Sequence, residues 1–181
     1  MENYYNYFVN KGNHPNKLDI LKEEYKYIFE YFNLQTAALI MDKIIDEAKY
    51  YNRPFAARIV YNNKIIRQCF VNSYNEESIK WLGRKERVCL ETKHSSYFIF
   101  LDNIDTHNYN QMIFDEEYGL CGGSFPIFIK GVPAGAITVT GLRPHEDHQV
   151  IVKVILISHS LVSIMIFLRI KNKMDIVFDA N

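Results

Sequence analysis

Cysteine is scarce and irregularly placed. Cys69, Cys89 and Cys121 form no CxxC pair, and any disulfide pairing leaves one thiol over. Free thiols in a reducing compartment are the simpler reading, and a disulfide scaffold or a four-cysteine zinc site is excluded. Neither sign of charge is in excess: 21 Lys+Arg face 21 Asp+Glu, for a formal net charge of zero and a pI of about 7.0. That balance leaves no electrostatic footprint for general nucleic-acid binding or for an anionic membrane surface. Long apolar runs are also missing. Val150 to Leu168 comes nearest, but Lys153, Ser158, His159, Ser160 and Ser163 interrupt it. Its longest uncharged stretch, Val154 to Leu168, falls short of the roughly 20 residues a spanning helix requires. The first residues, Met1 to Tyr7, have no basic segment and no apolar segment of a secretion leader. The expectation is a soluble cytoplasmic protein with no membrane or nucleic-acid partner.

What remains is a globular composition, 48% hydrophobic and 23% charged over 181 residues. A chain of this length buries about 70% of its unfolded surface and needs neither metal nor disulfide to fold. Residues 1–17 are rich in Tyr and Asn and show no helical period, so they read as a flexible N-terminal arm. Residues 18–181 read as a single domain.

Within that domain Leu18, Leu21, Tyr25, Ile28, Phe29 and Phe32 fall at helical spacing. Thr36 reads as the N-cap of a second helix, Ala37 to Tyr51, apolar over a broad face. Phe55 to Tyr61 and Lys64 to Val71 are β-rich runs joined by Asn62-Asn63, and asparagine tolerates the positive φ of a two-residue hairpin. Asn75 caps a helix to about Lys93, with Glu76 and Glu77 at its positive dipole end. Ser96 to Leu101 reads as a third strand, Asp102 to Glu117 as one long loop, and Phe125 to Lys130 as a fourth strand. A turn at Gly131-Val132-Pro133 leads into a fifth strand, Ala134 to Thr140. Pro144 suits the first turn of a final helix ending near Arg169. The fold expected is mixed α/β (α+β): an antiparallel sheet of about five strands flanked by helices.

Six of the eight glycines lie between Gly119 and Gly141. The run Tyr118 to Ser124, with Gly122 and Gly123, lets backbone approach a ligand or another chain closely, or simply makes a tight loop into a strand. It matches neither GxGxxG nor GxxxxGK[ST]. On the preceding helix Trp81 and Lys85 share a face, beside a basic stripe of Lys80, Arg84 and Arg87. An aromatic among cations suits a planar ligand bearing carboxylates; a solvated face with Trp81 in the core suits the same residues. His145-Glu146-Asp147-His148 has HxxH spacing rather than HExxH, and no third ligand joins His148 and His159, so no metal site is expected. Cys121 in its glycine-rich loop is a candidate nucleophile without a local signature, and no catalytic constellation is complete.

Trp81, Arg84 and Lys85, then His94-Ser95-Ser96-Tyr97, Gly122-Gly123-Ser124-Phe125-Pro126, Thr140-Gly141-Leu142 and Asp147-His148 follow one another in a recognisable order. This order resembles the GlcG/HbpS/PduO-C-terminal superfamily of heme-degrading or heme-binding domains. It is nearest that superfamily's uncharacterised branch, in which GGxFP and SGLxxxDH recur. The resemblance covers roughly residues 34–169. It implies a profilin-like layered fold, a homo-oligomer, and heme or another tetrapyrrole as a candidate cofactor. Thr140 stands where the branch carries serine and keeps the hydroxyl. Lys85 is followed by Glu86 and Arg87 rather than by small residues, and no histidine matches an axial iron ligand.

Three functions follow as expectations. The first is a homo-oligomeric module binding a small molecule, heme, a related tetrapyrrole or another anionic metabolite. Its site would take in Trp81, Arg84, Lys85, Gly122, Gly123, Ser124, Thr140, Asp147 and His148. The second is an assembly or adaptor protein without a ligand, in which those residues serve turns and subunit contacts. The third is an enzyme acting on heme or a related tetrapyrrole.

Overall fold

The structure, a computed structural model, describes residues 1–11 and 14–158. Its elements in chain order are α1 (Glu2–Val9), α2 (Lys17–Lys26), α3 (Leu34–Ala48), β1 (Phe55–Tyr61), β2 (Lys64–Val71), α4 (Glu76–Thr92), α5 (Ser96–Thr106), α6 (Asn110–Phe114), β3 (Ser124–Ile129) and β4 (Val132–Thr140). A further helix, α7, occupies residues 144–158. The expected continuation of that helix to Arg169, with His159, lies outside the described residues.

The four strands form one antiparallel sheet in the order β2-β1-β4-β3. Both hairpins turn on residues with positive φ: Asn62 and Asn63 at 49° and 59°, and Lys130 and Gly131 at 50° and 83°. That is the geometry whose twist matches flanking strands. Side chains alternate across the sheet. Phe55, Ala57, Ile59, Phe125, Ile127, Ile137 and Val139 point to one face, where Ile40 and Ile44 of α3 and Ile151, Val154 and Ile155 of α7 complete the main core. Helix α4 packs on the other face, against β4, β3 and β1. A second apolar cluster lies beside α4 and unites Tyr5 of α1, Ile20 of α2, Val88 of α4, Phe100 of α5 and Ile113 of α6.

The layered α/β architecture with its antiparallel sheet is as expected, but the described residues hold four strands rather than five. Ser96 to Leu101 is the first half of a helix. Ser95 caps it by accepting a hydrogen bond from the Phe98 N–H at 3.2 Å. Tyr97, Ile99, Phe100 and Leu101 are all buried, so the run is apolar all round. Such a short apolar run carries no period that separates a buried helix from a strand. The following stretch, read as one loop, contains the rest of α5 and the short α6.

Two helix boundaries also move. Asn33, not Thr36, caps α3, accepting from the Thr36 N–H at 2.9 Å. Helix α2 stops at Lys26, and Phe29 leaves the helical path to bridge β3, its N–H donating to the Phe128 carbonyl at 2.8 Å. Phe29 and Phe32 therefore enter the main core, whereas Ile20 enters the second cluster. Residues 1–17, read as a flexible arm, contain α1, which is docked: Tyr5 is buried and its hydroxyl accepts from the Asn103 side-chain amide at 3.0 Å.

Helix α2 is fastened through two adjacent glutamates. Glu24, only 2% exposed, accepts from the Ser95 N–H at 2.7 Å and meets His94 Nδ1 at 2.8 Å. Glu23 reaches His148 Nε2 at 2.8 Å. The hydrogen bond to Glu24 raises the His94 pKa, against the opposing pull of burial. A folded-state value above the unfolded one means this contact stabilises fully below about pH 6.5 and fades as pH rises through the folded value. The stability advantage of the native chain over His94→Gln, measured by urea unfolding, is therefore expected to shrink between about pH 6 and pH 9. An advantage that stays flat or grows would overturn this assignment.

Candidate functional site

Lys85 is a buried cation, at 2% exposure. Helix α4 presents Leu82, Lys85 and Cys89 toward the sheet at spacings of three and four, so the lysine projects inward because its face does. It meets Asp147 of α7, which is fully buried, with Nζ donating to Oδ2 at 2.6 Å. Nζ also approaches the Val139 carbonyl at 3.3 Å, and the Leu142 N–H donates to Asp147 Oδ1 at 3.1 Å. Both carboxylate oxygens are thus satisfied. Burial pulls the Lys85 ammonium down, but Asp147 and Cys121 together offset that pull, and the net direction is upward. Burial pushes the Asp147 carboxyl up, with Lys85 holding part of the rise back. A 2.6 Å contact with two donors on the carboxylate is a charged pair.

Glycine is required where the loop before β3 crosses this pair. A Cβ on Gly123 would stand 2.6 Å from the Val139 carbonyl oxygen and 2.8 Å from Lys85 Nζ, and its φ of +122° already disfavours any side chain. A Cβ on Gly122 would fall 2.0 Å from the Pro144 carbonyl oxygen. The two glycines let the loop wedge between β4 and the start of α7. Cys121 comes with them, fully buried, and burial pushes its thiol up to about 11 despite the nearby Lys85. It is a neutral thiol at physiological pH and no activated nucleophile.

Trp81 lies one turn before Lys85 on α4. The Arg84 guanidinium stands 5.3 Å from its ring, and Gly119 passes so closely that a Cβ there would touch both Trp81 and Arg84 at 3.1–3.2 Å. Tyr4 of α1 covers the indole with ring centroids 4.4 Å apart. Arg84 donates to the Glu116 carbonyl at 2.7 Å, and Arg87 pairs with Glu117 at 2.9 Å. These contacts border a groove of about 400 Å³ that Lys80 and Gly83 also line.

Lys85, Asp147, Gly122 and Gly123 therefore converge, with Trp81 and Arg84 alongside. The remaining residues singled out in the sequence lie elsewhere. Ser124 is buried in a hydroxyl network under α4, 2.8 Å from Thr138 Oγ1, and its N–H donates to Ser96 Oγ at 3.0 Å. Thr140 pairs with Ala56 at the end of β4. His148 turns to Glu23 and packs by Tyr97 and Phe125, at 5.1 and 5.9 Å between rings. Consecutive residues on a helix point about 100° apart, which separates His148 from Asp147. Tyr4 was the residue hidden from the sequence reading. Its signal was the i,i+4 pair with Phe8, 4.7 Å apart on α1. Among the described residues, no group of three or more His, Cys, Asp or Glu side chains is placed to hold a metal ion, and no helix is long and apolar enough to cross a membrane.

The family described as "Haem degrading protein HbpS-like" matches residues 32–155, and the chain belongs to that family. Relatives include a UPF0303 protein of Rhizobium rhizogenes, 29% identical over 69% of this chain and 79% of that protein. Another, from Psychromonas ingrahamii, is 28% identical over 74% of this chain and 87% of its own length. Among solved structures the Ybr137w protein superposes with a TM-score of 0.74 at 20% identity, covering 83% of this chain and 91% of that one. A PduOC:heme complex superposes with a TM-score of 0.59 at 11% identity, over 70% and 94% of the two chains. These structural likenesses establish the shared fold.

Removing either half of the buried pair leaves the other charge uncompensated. Lys85→Met and Asp147→Leu should each cost about 3–5 kcal/mol in urea unfolding, and the double variant should cost less than their sum by at least about 0.5–3 kcal/mol. Strict additivity would show that the two groups are not coupled. Gly123→Ala should lose about 1–3 kcal/mol from its backbone conformation alone.

Proposed function

We propose that the chain is a binding module for a planar, anionic small molecule, with a tetrapyrrole such as heme as the leading candidate. The observation that carries this reading is the lysine–aspartate pair beneath Gly122 and Gly123, one helical turn from the Trp81 ring and the Arg84 guanidinium. A cation paired with a movable carboxylate, an indole face and bare backbone are the groups that hold a flat ring with acidic substituents. Membership of the HbpS-like family and the heme named in the PduOC complex point to the same ligand class.

The residues present fit the ring and its carboxylates, but not iron ligation at this centre. His148 Nε2 is taken by Glu23 and His94 Nδ1 by Glu24, and the groups that meet Lys85 Nζ are the Asp147 carboxylate and the Val139 carbonyl rather than an imidazole. Recognition on this reading therefore passes through the macrocycle and its acidic groups, with no step through the metal.

The same reading makes the chain a cytoplasmic homo-oligomer. Its free cysteines suit a reducing compartment. Ile65 near the start of the open edge strand β2 and Tyr74 beyond its end are 57% and 63% exposed, surface that a neighbouring subunit would cover.

Native mass spectrometry and thermal melting with hemin and with metal-free protoporphyrin IX test the proposal. Both compounds should bind stoichiometrically and raise the melting temperature, with affinities within about threefold of one another, because binding to the native state stabilises it by mass action. Binding of hemin alone would show that iron ligation governs recognition and would overturn the placement at Lys85. Failure of both would return weight to an assembly role without a ligand.

A further inference from the structure

Helix α1 lies outside the family-matched residues 32–155, yet it closes the site that those residues build. Adjacent tyrosines divide the work. Tyr5 anchors the helix, buried edge-on against Phe100 at 5.4 Å and hydrogen-bonded to Asn103. Tyr4, on the neighbouring face, packs its ring against Trp81 at a tilt of 41° with centroids 4.4 Å apart, and its hydroxyl meets the Cys121 thiol. Trp81 is backed by Arg84 and Gly119, so α1 supplies the cover that the rest of the site lacks.

We infer that α1 is a built-in competitor: Tyr4 occupies the ring position on Trp81 and covers Cys121, so a planar ring bearing a hydroxyl or carboxyl group enters only when Tyr4 leaves. This rests on the binding site proposed above and adds its regulation. The tyrosine is itself such a molecule, a flat ring with one polar oxygen, held where the ligand's ring would lie. A site that is open only a fraction of the time binds more weakly by that fraction, so a closure occupied 90–99% of the time lowers apparent affinity roughly 10- to 100-fold.

Cysteine labelling reads the closure without any ligand. Cys121 lies beneath Tyr4, whereas Cys89, equally buried, faces the sheet from α4 and serves as an internal control. The full-length chain and its Tyr4→Ala and Tyr4→Phe variants are pulsed with N-ethylmaleimide, and each cysteine is quantified by peptide mass spectrometry. Tyr4→Ala should label Cys121 at least 10-fold faster than the native chain with Cys89 unchanged, and Tyr4→Phe, which keeps the ring, should stay within about threefold of native. Cys121 and Cys89 rising together would mean global opening, and no rise at Cys121 would mean that Tyr4 is no cover; either result overturns the inference. Hemin is then added to Tyr4→Ala. Protection of Cys121 supports competition at the one site. Fast labelling without protection by hemin leaves the closure standing and removes the tetrapyrrole reading instead.

Discussion

Placing an ammonium and a carboxylate together inside a protein costs several kcal/mol per ion in lost hydration, and only close geometry with further hydrogen bonds recovers it. Lys85 and Asp147 meet that requirement across 62 positions of sequence. The ammonium has the Asp147 oxygen and the Val139 carbonyl, and the carboxylate has the ammonium and the Leu142 N–H. The pair joins α4 on one face of the sheet to the first turn of α7, whose Ile151, Val154 and Ile155 pack on the other. It passes around the end where β4 finishes and the glycine loop enters β3. Every neighbour is constrained by it: Gly123 has no room for a methyl group beside Nζ, and Gly122 has none beside Pro144. A contact that specifies so many neighbours fixes the relative placement of three elements, whatever its net contribution to stability.

The same pair is also the most chemically adaptable feature of the centre. A hydrophobic plug of similar volume would pack as well and avoid the desolvation cost. An ion pair differs in that a cation can exchange one anionic partner for another. The other buried polar contacts lack that property. Glu24 is satisfied by a backbone N–H and a histidine, Ser124 by Thr138, and both serve to fasten segments together. The distinction separates Lys85 from the other buried polar groups around it.

Much of this was legible in the chain before folding. The Asn62-Asn63 hairpin, the Asn75 cap, Pro144 at the head of the last helix and the density of glycine after residue 118 each carry a local backbone cause, and each appears where it was expected. Lys85 with Gly122 and Gly123 was legible as an association of residue types. What stayed hidden was set by tertiary contact. Ser96 to Leu101 has a β-like composition, and only its burial on every side and the cap at Ser95 make it helical. Asp147 was expected in one site with Lys85, but nothing in its neighbourhood in sequence announces a direct ion pair across 62 positions. His148 seemed to travel with Asp147, but the helical rotation between adjacent residues sends it to Glu23.

The N-terminal segment carries the weakest local signals of the chain. Tyr and Asn in alternation offer weak helix propensity and no apolar stripe of the aliphatic kind, so a free arm is the natural reading. Yet tyrosine brings a large flat surface with one polar end, suited to a slot that is apolar at the mouth and polar within. Tyr4 meets an indole at its ring and a buried polar centre at its hydroxyl, while Tyr5 meets a phenylalanine at its ring and an asparagine amide at its hydroxyl. Each tyrosine therefore satisfies both of its ends only in the docked position. Docking of α1 is thus decided by the amphipathic character of two side chains rather than by the helix's own tendency to form.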